Sequence, residues 1–288
     1  MAKTFTLTIQ ADVDPDFVKA AFDKTMRLIY VPPKISFYVI DHPNFCPIFV
    51  EDLPKEAKTE YKNLCQEEAT SMSITWGRHD HILIHITPEE EYLKTNEKAL
   101  IGTILHEVIH TKLGHMLDKK IYKDMHSSFN KFKKQLREIK YTDKQINDLF
   151  SAVSETAAYV LLDLYGNSDL IRRRLINYLV EDYSNLYKCK KRCIKPKLPS
   201  KHKKLDYAKG AFNYELSLLS VIIPFMRSSS PKAKKLVKHL EKNFESNVPE
   251  IAKKLKDLKI FSAKNLANTS KFRRTYFTKI FQAVLDSI

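Results

Sequence analysis

The sequence predicts an α+β fold, with a small mixed sheet packed on a helix that carries His-Glu-x-x-His and a mostly helical, basic C-terminal region after it. Two observations predict this class. The segments in which apolar and polar residues alternate, the pattern of a half-buried strand, all lie before Pro88. After the motif the apolar residues recur at helical spacing, and from Leu170 onward prolines are the main interruptions.

Short strands and two helices are predicted before the motif. The strands are Lys3–Ile9, Lys34–Ile40, Cys46–Val50, Ser71–Trp76 and His81–Thr87. One helix is expected to start at Asp14-Pro15-Asp16 and to run to about Tyr30, ahead of two prolines. The other is expected from Pro54 to about Ala69.

The strand His81–Thr87 directly precedes the motif helix, and we expect it to lie along a cleft with one edge unpaired. An extended peptide could then add to that edge through backbone hydrogen bonds. An ordinary internal strand is the alternative. His79, His81 and His85 alternate along the chain and so share one face, which we expect to be solvated rather than to form a second metal site.

The stretch Thr95–Leu117 is predicted to be an α-helix capped by Thr95 or Asn96, with a broad apolar surface. It contains His106-Glu107-Val108-Ile109-His110. Because residues four apart lie on one face of a helix, the two imidazoles can be aimed at one point. Gly102 stands one turn before His106, where a missing side chain would leave room for a substrate or a packed strand.

Two neutral imidazoles at this spacing are good donors for Zn²⁺, and a catalytic zinc site usually adds a third protein ligand and a water. Glu107 would lie beside that water and could take its proton during attack on a polarised carbonyl. The motif therefore predicts a zinc-dependent hydrolase with His106 and His110 as metal ligands and Glu107 as a catalytic residue. The alternative is two histidines that share this spacing without binding metal.

Glu155 is one candidate for the third ligand. It lies in the predicted helix Asp143–Tyr165, within the stretch Phe150–Gly166 that is apolar almost all round, and no Lys or Arg occurs from residue 145 to residue 171. A carboxylate buried in such a helix is costly unless a cation balances it. A capping role near the start of a helix is the alternative for Glu155. Tyr159, one turn on, could orient Glu155 or act in catalysis by binding an oxyanion.

His126 and His115 are the other candidates for the third ligand. His126 lies in a separate predicted helix, Ile121–Ile139, far enough past His110 for the chain to turn and return. His115 follows His110 by five residues, which is about 140° around a helix, so it fits only if the helix ends at Gly114.

At these residues the sequence resembles the gluzincin class of zinc metallopeptidases. Strands precede the motif, and a later helix offers a glutamate within Ser154-Glu155-Thr156. The resemblance covers roughly residues 74–166. It implies His106, His110 and Glu155 as zinc ligands, a water-activating Glu107, and hydrolysis of peptide bonds in a protein or peptide substrate. Tyr159 departs from the class, which often has Asp at that position.

A second resemblance is to SprT-like, or Spartan-type, proteases, which cleave proteins crosslinked to DNA. His126 followed by Phe129 is similar to the third ligand and nearby aromatic residue of that family, although Ser127 stands in place of the family's glycine. This resemblance implies that His126 binds zinc and that the protein associates with DNA.

Positive charge is concentrated in the C-terminal part of the chain. Residues 1–166 hold 21 Lys and Arg against 24 Asp and Glu, a net charge of −3, whereas residues 167–288 hold 28 against 10, a net charge of +18. We therefore expect a zincin-like domain over 1–166 and a helical basic region over 167–288. The segment Lys188–Lys204 would be a linker or basic loop between subregions.

Basic clusters such as Arg172–Arg174 and Lys271–Arg274 are interleaved with Tyr and Phe, which makes nucleic acid a candidate partner. A solvated lysine-rich face is the alternative. A non-enzymatic protein that associates with nucleic acid or the ribosome is therefore a competing function. The chain has no apolar run long enough to span a bilayer, no signal-peptide pattern and only four cysteines, so a cytoplasmic location is expected.

Overall fold

The computed structural model describes residues 5–31, 34–55, 58, 71–76, 79–187 and 204–288. These residues form a mixed α+β structure in which helices predominate and four strands form one small sheet. The strands are β1 (Phe5–Gln10), β2 (Ile35–Ile40), β3 (Met72–Trp76) and β4 (His79–His85). The helices are α1 (Pro15–Leu28), α2 (Cys46–Glu51), α3 (Glu97–Glu138), α4 (Asp143–Arg172), α5 (Ile176–Leu186), α6 (Lys204–Phe225), α7 (Pro231–Asn247), α8 (Pro249–Asn265) and α9 (Ser270–Leu285). Short 3-10 turns cover Pro43–Phe45 and Pro88–Lys94.

The sheet has the strand order β1-β2-β4-β3, in which β1, β2 and β4 are parallel and β3 is antiparallel to β4. All residues of β2 are buried, as expected for a parallel strand that is covered on both faces. β4 pairs with β2 along one edge and with β3 along the other. The prediction that the strand before the motif helix has an open edge was therefore wrong, and β4 is an internal strand.

One predicted strand, Cys46–Val50, is wrong because this segment forms α2. Pro47 lies in the first turn of that helix, where a missing backbone N–H interrupts no intrahelical hydrogen bond. The predicted helix from Pro54 to Ala69 and the basic segment Lys188–Lys204 fall almost entirely outside the described residues.

We predicted that the face of β4 that carries His79, His81 and His85 is solvated. The structure contradicts this prediction for His81 and His85. His81 and His85 are 5% and 4% exposed, and the rings of His79 and His81 stack with centroids 4.5 Å apart. Both rings line a cavity of about 490 Å³ together with Tyr38 and other polar side chains. Burial lowers the pKa of His81, with a smaller contribution from His79, and so favours its neutral form. No group of three metal donors forms on this face within the described part of the chain.

α3 runs without interruption for 42 residues, whereas the sequence predicted two helices separated near residue 119. Its start agrees with the prediction, because the side-chain oxygen of Asn96 accepts a hydrogen bond from the backbone N–H of Ala99 at 3.2 Å. Gly114 does not end the helix. A single glycine costs only about 1 kcal/mol of helix propensity, which neighbouring packing can offset.

The chain divides into two compact units. One contains Met1–His115 and Arg173–Cys193, which include the sheet, α1, α2, the motif and α5. The other contains Met116–Arg172 and Ile194–Ile288. The boundary that we predicted after Gly166 falls inside α4. Within the described ranges, no helix combines the length and apolar character needed to cross a membrane.

A buried carboxylate organises part of the second unit. Asp124 is 3% exposed and accepts hydrogen bonds from Nε of Arg273 at 2.8 Å, Nε of Arg274 at 2.9 Å and Oγ of Ser270 at 2.6 Å. Arg273 is itself 5% exposed. Within the cluster Lys271–Arg274, which we expected to contact nucleic acid, Arg273 is therefore committed to a buried ion pair, whereas the side chain of Arg274 is 52% exposed beside the same carboxylate.

Candidate metal centre

The two motif histidines converge as their spacing predicts. Nε2 of His106 and Nε2 of His110 are 3.1 Å apart, and the ring planes meet at 73°. Two nitrogens bound to one tetrahedral Zn²⁺ at about 2.0–2.1 Å would be about 3.3 Å apart. Both side chains are half-buried. The pair therefore fits two positions of a zinc site with only a small adjustment of side-chain torsions.

Glu107, the next residue after His106, is 6% exposed, although glutamate is among the residues least often buried. It lies within a run of fully buried apolar residues, Ile104, Leu105, Val108 and Ile109. Because the local dielectric is low in such surroundings, hydrogen bonds between a carboxylate and nearby donors are stronger there than in water. Glu107 is therefore a buried carboxylate directly after a motif histidine, and its proton-transferring role stays a prediction.

The space at Gly102 is filled by α5, not by a substrate or a strand as we predicted. A Cβ at Gly102 would lie 2.5 Å from the backbone oxygen of Tyr178 and 2.9 Å from Cβ of Asp182. Any larger residue would therefore push the two helices apart. The glycine allows α5 to lie directly against the helix that carries the motif.

Two further hydrogen bonds hold α5 in this position. The hydroxyl of Tyr92, in the turn before α3, donates to Oδ1 of Asp182 at 3.0 Å. Nδ2 of Asn96, the residue that caps α3, donates to Oε1 of Glu181 at 3.2 Å. The contact brings Tyr183, which is 8% exposed, to His106: the phenol oxygen lies 3.2 Å from Nδ1 of the imidazole. Sequence reasoning missed Tyr183, which lies more than seventy residues beyond the motif.

Within the described residues, three side chains form a group that could hold a metal ion: His106, His110 and Asp163. One ligand atom from each lies within 4.8 Å of the others. Sequence reasoning also missed Asp163, although the absence of Lys and Arg from residue 145 to residue 171 applies to it as much as to Glu155.

Glu155 is not in this group, and its side chain is exposed. The expectation that it is buried was wrong, because the polar stripe of α4 includes this position. Tyr159, which we predicted to orient Glu155 or to bind an oxyanion, is 59% exposed.

The structure does not bring the other two candidate ligands to the histidine pair. His126 lies sixteen residues beyond His110 on one continuous helix, about 24 Å along its axis at 1.5 Å per residue. Its ring packs instead against Phe150, with centroids 4.9 Å apart. Nε2 of His115 lies 2.9 Å from Oδ1 of Asp80, a buried residue of β4.

Comparison with protein-family models, curated proteins and solved structures gave no match for this chain. The chemistry of the site therefore rests on its own side chains. Two neutral imidazoles and one carboxylate are a donor set that suits Zn²⁺. The buried Glu107, which follows His106 directly in the chain, carries a group that can move a proton.

Proposed function

We propose that this protein is a zinc-dependent hydrolase that cleaves peptide bonds, with His106, His110 and Asp163 as the metal ligands. The observation that carries the proposal is the convergence of the two Nε2 atoms at 3.1 Å from adjacent turns of α3. The buried Glu107 supports it, because a hydrolase of this kind needs a base next to the metal. The proposal keeps the motif residues predicted from sequence and replaces Glu155 with Asp163.

Zn²⁺ held by this donor set would polarise the substrate carbonyl and make a bound water more acidic. Glu107 would accept the proton of the attacking water and return it to the leaving amine. A carboxylate held on a rigid helix can exchange this proton in both directions. His106 and His110 would fix the metal from a rigid helix, which limits misplacement of the reacting groups.

The metal content of the purified full-length protein tests this proposal. We expect about one zinc per chain by inductively coupled plasma mass spectrometry, and loss of that zinc in His110→Ala and Asp163→Asn. Glu155→Gln is the matched control, because it neutralises an exposed carboxylate on the same helix and should keep the metal. Zinc lost in Glu155→Gln and kept in Asp163→Asn would restore the original assignment of Glu155. Wild-type protein that takes up no zinc would overturn the function.

The resemblances to gluzincins and to SprT-like proteases lead to the same reaction and differ in the third ligand and the substrate. Asp163 belongs to neither predicted ligand set, so we propose the reaction without assigning the chain to either family. The SprT-like alternative depended on His126, which lies about 24 Å along α3 from His110. We therefore favour a peptidase whose substrate is not restricted to DNA-linked proteins.

A further inference from the structure

We infer that Tyr183 is a positioning residue that holds His106 in the Nδ1–H tautomer, so that Nε2 presents a lone pair to the metal. The inference deepens the proposed zinc site and rests on it. A neutral imidazole carries a single N–H, and a hydrogen-bond acceptor at one nitrogen favours the proton on that side. The phenol oxygen of Tyr183 lies 3.2 Å from Nδ1. A phenol can accept from Nδ1–H or donate to the Nδ1 lone pair, and the first arrangement is the one that leaves the Nε2 lone pair available to a metal.

The burial of Tyr183 makes its oxygen effective in this role. At 8% exposure the phenol meets little competition from water for the Nδ1 proton. The two rings are nearly perpendicular, at 86°, with centroids 6.1 Å apart. The tyrosine therefore approaches His106 with its hydroxyl and does not stack on the imidazole face, which leaves the ring free to point Nε2 towards His110.

The position of the hydroxyl is set by the packing of α5 and not by Tyr183 alone. Gly102 allows the backbone at Tyr178 to contact α3, and Asp182, the neighbour of Tyr183, accepts the hydrogen bond from Tyr92. The hydrogen bond between Asn96 and Glu181 also joins α5 to the start of α3. Hydrogen bonds of this kind behind metal-binding histidines orient the ring before the metal arrives, and their loss typically weakens binding 10–100-fold.

The tautomer of His106 in the metal-free protein is the direct test. Long-range ¹H–¹⁵N spectra distinguish Nδ1–H from Nε2–H in histidine, and we expect the Nδ1–H form in wild type and a mixture in Tyr183→Phe. Tyr178→Phe is the matched control, since it removes the same atom from the same helix and should leave the spectrum of His106 unchanged. An Nε2–H form in the wild-type protein overturns the inference without the need for any variant.

Zinc affinity, measured by competition with a chromophoric chelator, is the second readout. We expect Tyr183→Phe to bind zinc roughly 10–100-fold more weakly than wild type, with Tyr178→Phe unchanged. Equal zinc affinity in Tyr183→Phe and wild type would overturn the positioning role while leaving the zinc site intact. Absence of zinc binding in wild type would instead refute the proposed function, and the tautomer experiment would still report on the Tyr183 contact.

Discussion

Glu107 is the residue on which the proposed chemistry depends. Its side chain is 6% exposed and belongs to a rigid helix, next to one of the two converging histidines. Replacing the carboxylate with an amide keeps the size of the side chain but removes its ability to accept a proton at neutral pH. The substitution therefore separates proton transfer from metal binding.

We predict that Glu107→Gln retains about one zinc per chain and loses hydrolysis of a fluorogenic peptide library by at least about 100-fold, the usual contribution of a general base. Glu155→Gln serves as the control and should hydrolyse the library at the wild-type rate. Turnover by Glu107→Gln at the wild-type level would remove this residue from the mechanism.

At the scale of elements, the C-terminal half of α3 is tied to α9 by the ion pairs of Asp124. Burial alone would raise the pKa of this carboxyl, but hydrogen bonds from Ser270, Arg274 and Arg273 outweigh that effect and lower it. A carboxyl whose pKa is lower in the folded state stabilises the fold above its unfolded value of about 3.9. The stabilisation is lost as the pH falls through the folded-state pKa.

We predict that Asp124→Asn destabilises the protein by about 3–5 kcal/mol at pH 7, because it leaves the buried Arg273 without a counter-charge. Urea denaturation followed by circular dichroism measures this difference. The gap between Asp124→Asn and wild type should begin to shrink below about pH 4, where the carboxyl is protonated in the unfolded chain but still ionised in the fold, and should shrink further as the pH falls through the lowered folded-state pKa. A difference that stays constant from pH 7 to pH 3 would contradict the ionic role of Asp124. Asp118→Asn, an exposed carboxyl on the same helix, is the control and should cost less than about 1 kcal/mol.

Sequence patterns predicted most strands and helices, but not the partners of the helices. The convergence of His106 and His110 was predictable because it depends only on a separation of four residues within one helix. The packing of α5 against Gly102 was not predictable, since α5 lies more than seventy residues later in the chain. Only the packing of the folded chain decides which segment fills the space beside a glycine. The edge of β4 could not be predicted for the same reason: strand order depends on which segments pair.

Glu155 and Asp163 show a second limit of sequence reasoning, which considered only the first of them as a ligand. Both carboxylates lie on α4, eight residues apart, which separates them by about 80° around the helix and about 12 Å along it. A helix that is apolar on most sides gives little indication of which narrow sector is polar. Composition therefore directed attention to α4, and the exposure of Glu155 contradicted the expectation that this carboxylate is buried.

At the scale of the whole molecule, the uneven distribution of charge remains the strongest indication of a partner. Five lysines of α7 have exposed side chains: Lys232, Lys234, Lys235, Lys238 and Lys242. We propose that this helix is a contact surface for the phosphates of nucleic acid, in addition to the hydrolase site. Binding of this kind weakens steeply with salt, because each phosphate contact releases counterions.

We predict that the protein binds double-stranded DNA without sequence preference, measured by fluorescence anisotropy across a series of salt concentrations. Changing Lys235, Lys238 and Lys242 to Gln should reduce the slope of log affinity against log salt by about 2–3. The charge-matched control changes Lys123, Lys131 and Lys134 on α3 and should leave the slope unchanged. A slope in the α7 variant equal to that of the wild type would mean that these three lysines make no phosphate contacts.

The strand order also has a consequence for proline. Among the described strands only β1 and β3 lie at the ends of the sheet, so an extended substrate that joined the sheet would have to run along one of them. Such pairing uses the N–H groups of the incoming chain, and proline has none to offer. If capture works in this way, peptides with proline at alternate positions would escape cleavage whatever their other side chains are.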